Sequence, residues 1–141
     1  MLRRAILLGF LAGIALVGLE SAQQGSPPVP SLPGPARGQK QHGLASWYSH
    51  ASTLAEGNSG VMANGKTIQD EAFTAASWDY PLNSKILVST STGQSATVVI
   101  TDRGPNLRLY RKGRILDLSK AAFQALAPLS QGVIEVTIEP M

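Results

Sequence analysis

The chain has 141 residues, a formal net charge of +3 and no cysteine. That length holds at most one modest domain plus appendages, and the lack of cysteine excludes disulfide staples, thiolate catalysis, Cys-ligated metals and lipid attachment through an N-terminal Cys. The core must be stable through packing alone, and with no long charge run or basic–aromatic interleaving the composition does not point to nucleic acid.

Residues 1–22 read as a signal peptide. Arg3 and Arg4 form a basic start, Ala5 to Leu19 an apolar run, and Glu20-Ser21-Ala22 supplies small residues for cleavage after Ala22. The run is short for a bilayer-spanning helix, which needs roughly 20 residues. The expectation is a periplasmic or extracellular protein with no stable membrane anchor after cleavage. Residues 23–42 read as a Pro/Gly-rich tether: five of the nine prolines fall within 23–41, which holds almost nothing apolar. Such a segment cannot offset its ordering entropy by burial and tends to an extended spacer. Without the two arginines and one glutamate of 1–22, ten Lys and Arg face eight Asp and Glu. Five of those ten (Arg103, Arg108, Arg111, Lys112, Arg114) crowd into one short stretch.

The globular part is expected over 43–139, a size that buries roughly two thirds of its unfolded surface. GLASWYS (43–49) reads as a first strand with Trp47 and Tyr48 on opposite faces. Residues 50–71 show scarcely any apolar periodicity and several turn residues, so they read as a long loop of the kind that carries function. AFTAASW (72–78) reads as a strand. SKILVSTST (84–92) and SATVVITD (95–102) flank Gly93-Gln94 as a hairpin, and RILDL (114–118) reads as another strand. SKAAFQALA predicts a helix capped by Ser119, with Phe123 and Leu126 inward and Pro128 just past its end. In GVIEVTIEP, Ile134, Val136 and Ile138 alternate with Glu135, Thr137 and Glu139, the pattern of a half-buried closing strand. About six short strands and one short helix argue for a small β-barrel.

Several chemistries are excluded by what surrounds their residues. Ser59 in GNSGV lacks the strand–turn–helix elbow of a serine hydrolase. His42 and His50 have no spacing that builds a metal site, and no phosphate-cradling loop is present. Carboxylates remain. Asp102 ends an apolar strand and precedes Arg103-Gly104-Pro105, where glycine allows unusual backbone angles and proline fixes the exit. A carboxyl held rigidly at a barrel rim suits general acid/base work on a glycosidic bond. An Asp paired with Arg103 or capping a loop amide fits the same residues.

GLASWYS, VMANGKTIQDEAFTAAS, PLNSKILVS, ATVVITDRGP and GRILDLSKAAFQAL occur in the order and spacing of the rare lipoprotein A family. The resemblance covers essentially 43–139, and the pairing of the Asp-Arg-Gly-Pro turn with Gly-Arg-x-Leu-Asp-Leu-Ser is specific. It implies a mainly β fold, a six-stranded double-psi β-barrel with one or two short helices, similar to the barrel of expansins. It also implies a septal-ring lytic transglycosylase-like protein that acts on peptidoglycan glycan strands without cofactor or metal. Such an enzyme cleaves the MurNAc–GlcNAc bond endolytically, leaving 1,6-anhydro ends. Asp102 matches the family's catalytic aspartate, and would protonate the leaving oxygen and then accept the C6 hydroxyl proton.

Two departures stand out. The family pattern has Asn-Gly-Glu where this chain has Asn64-Gly65-Lys66, and Ala-Ala-His where it has Ala75-Ala76-Ser77. A lysine beside Asp102 would favour the ionised carboxylate and weaken it as an acid. Glu71 is the candidate substitute for the missing glutamate. Asn64, Lys66, Ser77, Trp78, Arg103 and Tyr48 are the expected substrate-binding residues, with Tyr48, Trp47 and Trp78 able to stack on sugars. Arg108, Arg111, Lys112 and Arg114 could meet substrate carboxylates, whereas Asp117 reads as structural support for the helix entry. The alternative reading is a non-catalytic peptidoglycan-binding or wall-loosening module. The chain ends at its last strand, so a monomer without a septum-targeting domain is expected.

Overall fold

A computed structural model describes residues 39–141. The expected signal segment, and the tether up to residue 38, lie outside the described residues. Six strands form one closed barrel: β1 (Gln41–Tyr48), β2 (Thr74–Ala76), β3 (Lys85–Ser89), β4 (Ser95–Asp102), β5 (Arg114–Ser119) and β6 (Val133–Pro140), in the circular order β1-β5-β2-β4-β3-β6. β1/β5 and β2/β4 run parallel, and the four other neighbours are antiparallel. Closure leaves no unpaired sheet edge. β1 begins two residues before the expected boundary at 43, so His42 belongs to a barrel strand, where its Nδ1 lies 2.9 Å from Thr137 Oγ1.

Alternation decides what fills the barrel. Ile86 and Val88 of β3, Val98 and Ile100 of β4, and Ile138 of β6 are fully buried, one face of each strand. The helix α3 (Lys120–Leu126) follows β5, with Ser119 Oγ accepting from Ala122 N at 3.3 Å as its N-cap. Ala122, Phe123 and Leu126 form its buried face and belong to the core formed by the strands. The hairpin between β3 and β4 places Gly93 at φ 90°, a left-handed residue after the Thr90–Gly93 turn, with Thr90 N donating to Gln94 O at 2.9 Å.

The helices are more numerous than the sequence suggests. α1 (His50–Ala55) and α2 (Leu107–Tyr110) join α3, and a single 3-10 turn spans Leu129–Gln131. α1 occupies a segment that reads as loop because it buries none of its residues. It is specified at its start instead: Ser49 and Ser52 form a reciprocal capping box, and Asp70 Oδ1 accepts from His50 N at 2.7 Å.

Two register slips shape the working end. Along β4, Ala75 pairs with Ile100 but Ala76 with Asp102, so Thr101 is an inserted residue. Strict alternation would send Asp102 inward after Val98 and Ile100; the bulge re-phases it. Thr101 is buried instead, its hydroxyl 3.2 Å from Met62 Sδ. In β5, Leu44 pairs with Arg114 but Ala45 with Leu116, leaving Ile115 as the extra residue two positions before Asp117. Gly43 makes room for it, since a Cβ there would lie 2.7 Å from Ile115 Cδ1. Each bulge thus precedes an aspartate.

Candidate active site

Asp102 and Asp117 face one groove. Its first arm, about 440 Å³, is lined by both aspartates together with Tyr48, Glu56, Gly104 and Asn106. Its second arm, about 860 Å³, continues past Tyr48, Glu56, Asn106 and Asp117 to Trp47, Arg108 and Arg114. Asp102 Oδ1 accepts from Ala63 N at 2.9 Å and from its neighbour Arg103 N at 2.8 Å. That oxygen is committed to backbone donors, which leaves Oδ2 for chemistry. The Asp102 carbonyl also accepts from Ser77 N at 3.1 Å, so the strand end is fixed on both sides.

Asp117, expected as support for the helix entry, lines the groove and bonds to the paired strand. Leu116 and Leu118 are buried on either side of it, and its carboxylate turns to the groove, where Oδ1 accepts from the Ser46 hydroxyl on the paired strand. Burial pushes its carboxyl pKa up. The Ser46 hydrogen bond and the Arg114 charge pull it down, the carboxylates of Glu56 and Asp102 push it further up, and the net shift is upward. Gly104 lies beneath this pair: a Cβ there would sit 3.3 Å from Ala76 Cβ and 3.8 Å from Asp117 Oδ2. Tyr48 closes the same wall, its hydroxyl 3.5 Å from Thr74 Oγ1. Its phenol pKa is raised, first by burial and also by the two aspartates, so it remains a hydrogen-bond donor at neutral pH.

The other expected site residues divide. Arg103 lines the first arm, but its Nη1 donates to Ser77 O and Tyr80 O, both at 2.7 Å. It clamps the 77–80 loop and does not pair with Asp102. Ser77 is fully buried, its Oγ accepting from Asp79 N at 3.0 Å, so it cannot touch a substrate. Asn64 Oδ1 accepts from Lys66 N at 3.0 Å across its own turn, and neither side chain lines the groove. Lys66 does not face Asp102 as an ion-pair partner: among the described residues the salt bridge within 4 Å is Lys40–Glu139. The 63–64 backbone does reach this site, through Ala63 N to Asp102 and Asn64 N to Thr101 O at 3.2 Å. Glu71 is exposed before β2 and lies outside the groove; the extra carboxylate there is Glu56, the C-cap of α1.

The aromatics separate likewise. Trp47 packs on the core with Nε1 donating to Leu129 O at 3.2 Å. Trp78 remains 43 % exposed, its Nε1 donating to Pro105 O at 2.6 Å, on the loop behind Asp102. Of the basic stretch, Arg108 and Arg114 line the second arm, Arg111 faces solvent, and Lys112 lines a separate groove beside His42. Ser59 accepts from Val61 N at 3.3 Å as ordinary turn chemistry. No group of three or more His, Cys, Asp or Glu among the described residues could hold a metal ion.

Two carboxyls thus share one open groove on a closed six-stranded barrel. Residues 40–138 match the family model described as lytic transglycolase, and the chain belongs to that double-psi β-barrel family. It is 36 % identical over 105 residues to the endolytic peptidoglycan transglycosylase RlpA of Pasteurella multocida, covering 74 % of this chain and 33 % of that one. With the RlpA of Neisseria meningitidis serogroup B it shares 37 % over 100 residues, 70 % of this chain and 38 % of the other. The chain therefore spans about a third of the length of these curated relatives. Among solved structures, the Streptomyces papain inhibitor superposes with a TM-score of 0.55 at 27 % identity, covering 74 % of this chain and 96 % of that one. The apo expansin of Clavibacter michiganensis superposes at 0.53 with 21 % identity, covering 73 % and 50 %, a likeness of fold.

Proposed function

We propose that this chain is an endolytic peptidoglycan lytic transglycosylase, exported to the cell envelope, that cleaves MurNAc–GlcNAc bonds to 1,6-anhydro ends. The observation that carries the reading is the pair Asp102 and Asp117, delivered by two bulged strands into one groove with different surroundings. Carboxyls whose environments differ are what an acid and a base require. The family resemblance implies both proton transfers for Asp102; the groove supports a division.

In this division Asp117, whose burial favours the protonated form, gives its proton to the glycosidic oxygen as that oxygen leaves muramyl C1 with the bonding electrons. The C6 hydroxyl oxygen of the same muramyl ring bonds to C1, and its proton passes to Asp102 Oδ2. One C–O bond breaks and one forms, no water is consumed, and the two carboxyls exchange protonation states, which solvent restores. The positive character that develops at C1 during cleavage is balanced by the carboxylates of Asp102 and Glu56. Tyr48, which keeps its proton, is placed to donate a hydrogen bond to the sugar.

A second reading, a binding barrel without turnover, is favoured by one observation: the positions where the resemblance implies a glutamate and a histidine hold an exposed Lys66 and a buried Ser77. The same barrel occurs in a protein named as a protease inhibitor, and fold alone does not fix activity. Incubation with peptidoglycan sacculi followed by mass spectrometry of the released muropeptides separates the readings. Anhydro-muramyl ends from the wild type, lost in Asp102→Asn and in Asp117→Asn, support the divided mechanism. Their persistence in Asp117→Asn returns both transfers to Asp102, and sacculus binding without anhydro ends supports the binding module.

A further inference from the structure

We infer that the second arm of the groove is a subsite for a carboxylate carried by the glycan substrate, with Arg108 and Arg114 as its specificity-determining residues. This rests on the glycan-cleaving reading above. The two arms share Tyr48, Glu56, Asn106 and Asp117, so the basic arm begins where the reacting carboxyls end. Neither arginine has a carboxylate within 4 Å among the described residues, where the salt bridge is Lys40–Glu139. Arg114, at the start of β5, is partly balanced by Asp117, whose pKa it lowers. Arg108 stands exposed on α2.

The arm is held in shape before any ligand arrives. Asn106 caps α2, its Oδ1 accepting from Arg108 N at 2.9 Å. Tyr110 at the far end of α2 donates to Asp79 Oδ1 at 2.5 Å, tying the helix to the loop that Arg103 clamps. A short helix pinned at both ends holds one guanidinium over a groove whose other end is acidic. Such a charge-polarised groove attracts a substrate that is neutral where its bond breaks and anionic one side group away, and arginine suits a planar carboxylate through paired N–H donors. Muramyl glycans carry that chemistry in two forms, the lactyl carboxylate of peptide-free strands and the carboxylates of stem peptides.

Equilibrium binding tests the assignment in the chain carrying Asp102→Asn, which prevents consumption of the probe. Four probes are compared: a peptide-free muramyl tetrasaccharide, the same with its lactyl carboxyls converted to methylamides, a peptide-bearing tetrasaccharide, and chitotetraose. Arg108→Gln is expected to weaken binding of a carboxylate-bearing probe about fivefold, as for a partly exposed ion pair. Arg108→Glu weakens it further, Arg114→Gln weakens it too, and the amidated probe and chitotetraose are unaffected. Whether the peptide-free or the peptide-bearing probe responds identifies the carboxylate. Arg108→Gln and Arg108→Glu change an exposed position, so folding does not confound them. An equal loss on all four probes, or no loss on either carboxylate-bearing probe, overturns the subsite while leaving the glycan reading standing. Failure of every probe to bind overturns both.

Discussion

Replacing Asp117 by Asn is expected to stabilise the protein at neutral pH while abolishing the anhydro product. The substitution keeps shape and the Ser46 hydrogen bond, because the amide oxygen still accepts from the hydroxyl. What it removes is a charge whose burial is the largest influence on it, ahead of the Ser46 and Arg114 contributions that favour the ionised form. A folded-state pKa raised above the ordinary 3.8 means the folded protein binds the proton more tightly than the unfolded chain. Stability is then lost as pH rises from 3.8 through the folded pKa, and the full penalty is present above it. Asp117 is half-buried and partly compensated, so we expect a gain of about 1 kcal/mol, within the range found when a functional polar group is relieved. For a domain of about 100 residues that is a Tm increase of roughly 4–8 °C. Calorimetry at pH 7 and at pH 3 checks it, because at pH 3 both states are largely protonated and the gain should collapse. A variant less stable than wild type at pH 7, or equally stabilised at both pH values, would show that the Asp117 charge carries no burial penalty.

Ser46→Ala removes an influence that lowers the Asp117 pKa, so the basic limb of the kcat–pH profile is expected to move to higher pH; Glu56→Gln removes one that raises it, and the limb should move down. Limbs that stay in place in both variants would take the acid role from Asp117. Arg103→Met leaves the carbonyls of Ser77 and Tyr80 without their donor and is expected to cost about 2 kcal/mol in denaturant unfolding, with activity falling as the loop behind Asp102 loosens. Lys66→Ala and Glu71→Gln lie outside the groove and should leave turnover within about twofold of wild type, the scale of ordinary surface changes. A tenfold loss in either would return that residue to the site.

Much of the barrel is legible in the chain because alternation and caps are local. The β3–β4 hairpin, the Ser119 cap with Phe123 and Leu126 behind it, and the alternation of β6 all rest on neighbours within a few residues. Asp102 is legible too, since an apolar strand ending in Asp-Arg-Gly-Pro can hardly continue. Glu56 is not, because α1 buries no side chain and so has no hydrophobic period; its signal is the pair Ser49 and Ser52, a capping box without the usual acidic partner. Asp117 could have been found from its neighbours, since Leu116 and Leu118 are both buried and the residue between them must point the other way. What hid its partner is the parallel pairing with Ser46, a contact across 71 residues of chain. Lys66 shows the opposite error. Its loop does approach Asp102, but through the amide of Ala63, and the turn at Gly65 (φ 83°) carries the lysine side chain to solvent.

Asp102 and Asp117 are proposed to cleave a glycan together, without water. The most direct test is mass spectrometry of muropeptides released from sacculi in ¹⁸O-labelled water by the wild type, Asp102→Asn and Asp117→Asn. Cleavage by the pair gives 1,6-anhydro-muramyl ends free of label from the wild type and none from either variant. Labelled reducing ends from the wild type, or anhydro ends that persist in either variant, would contradict this.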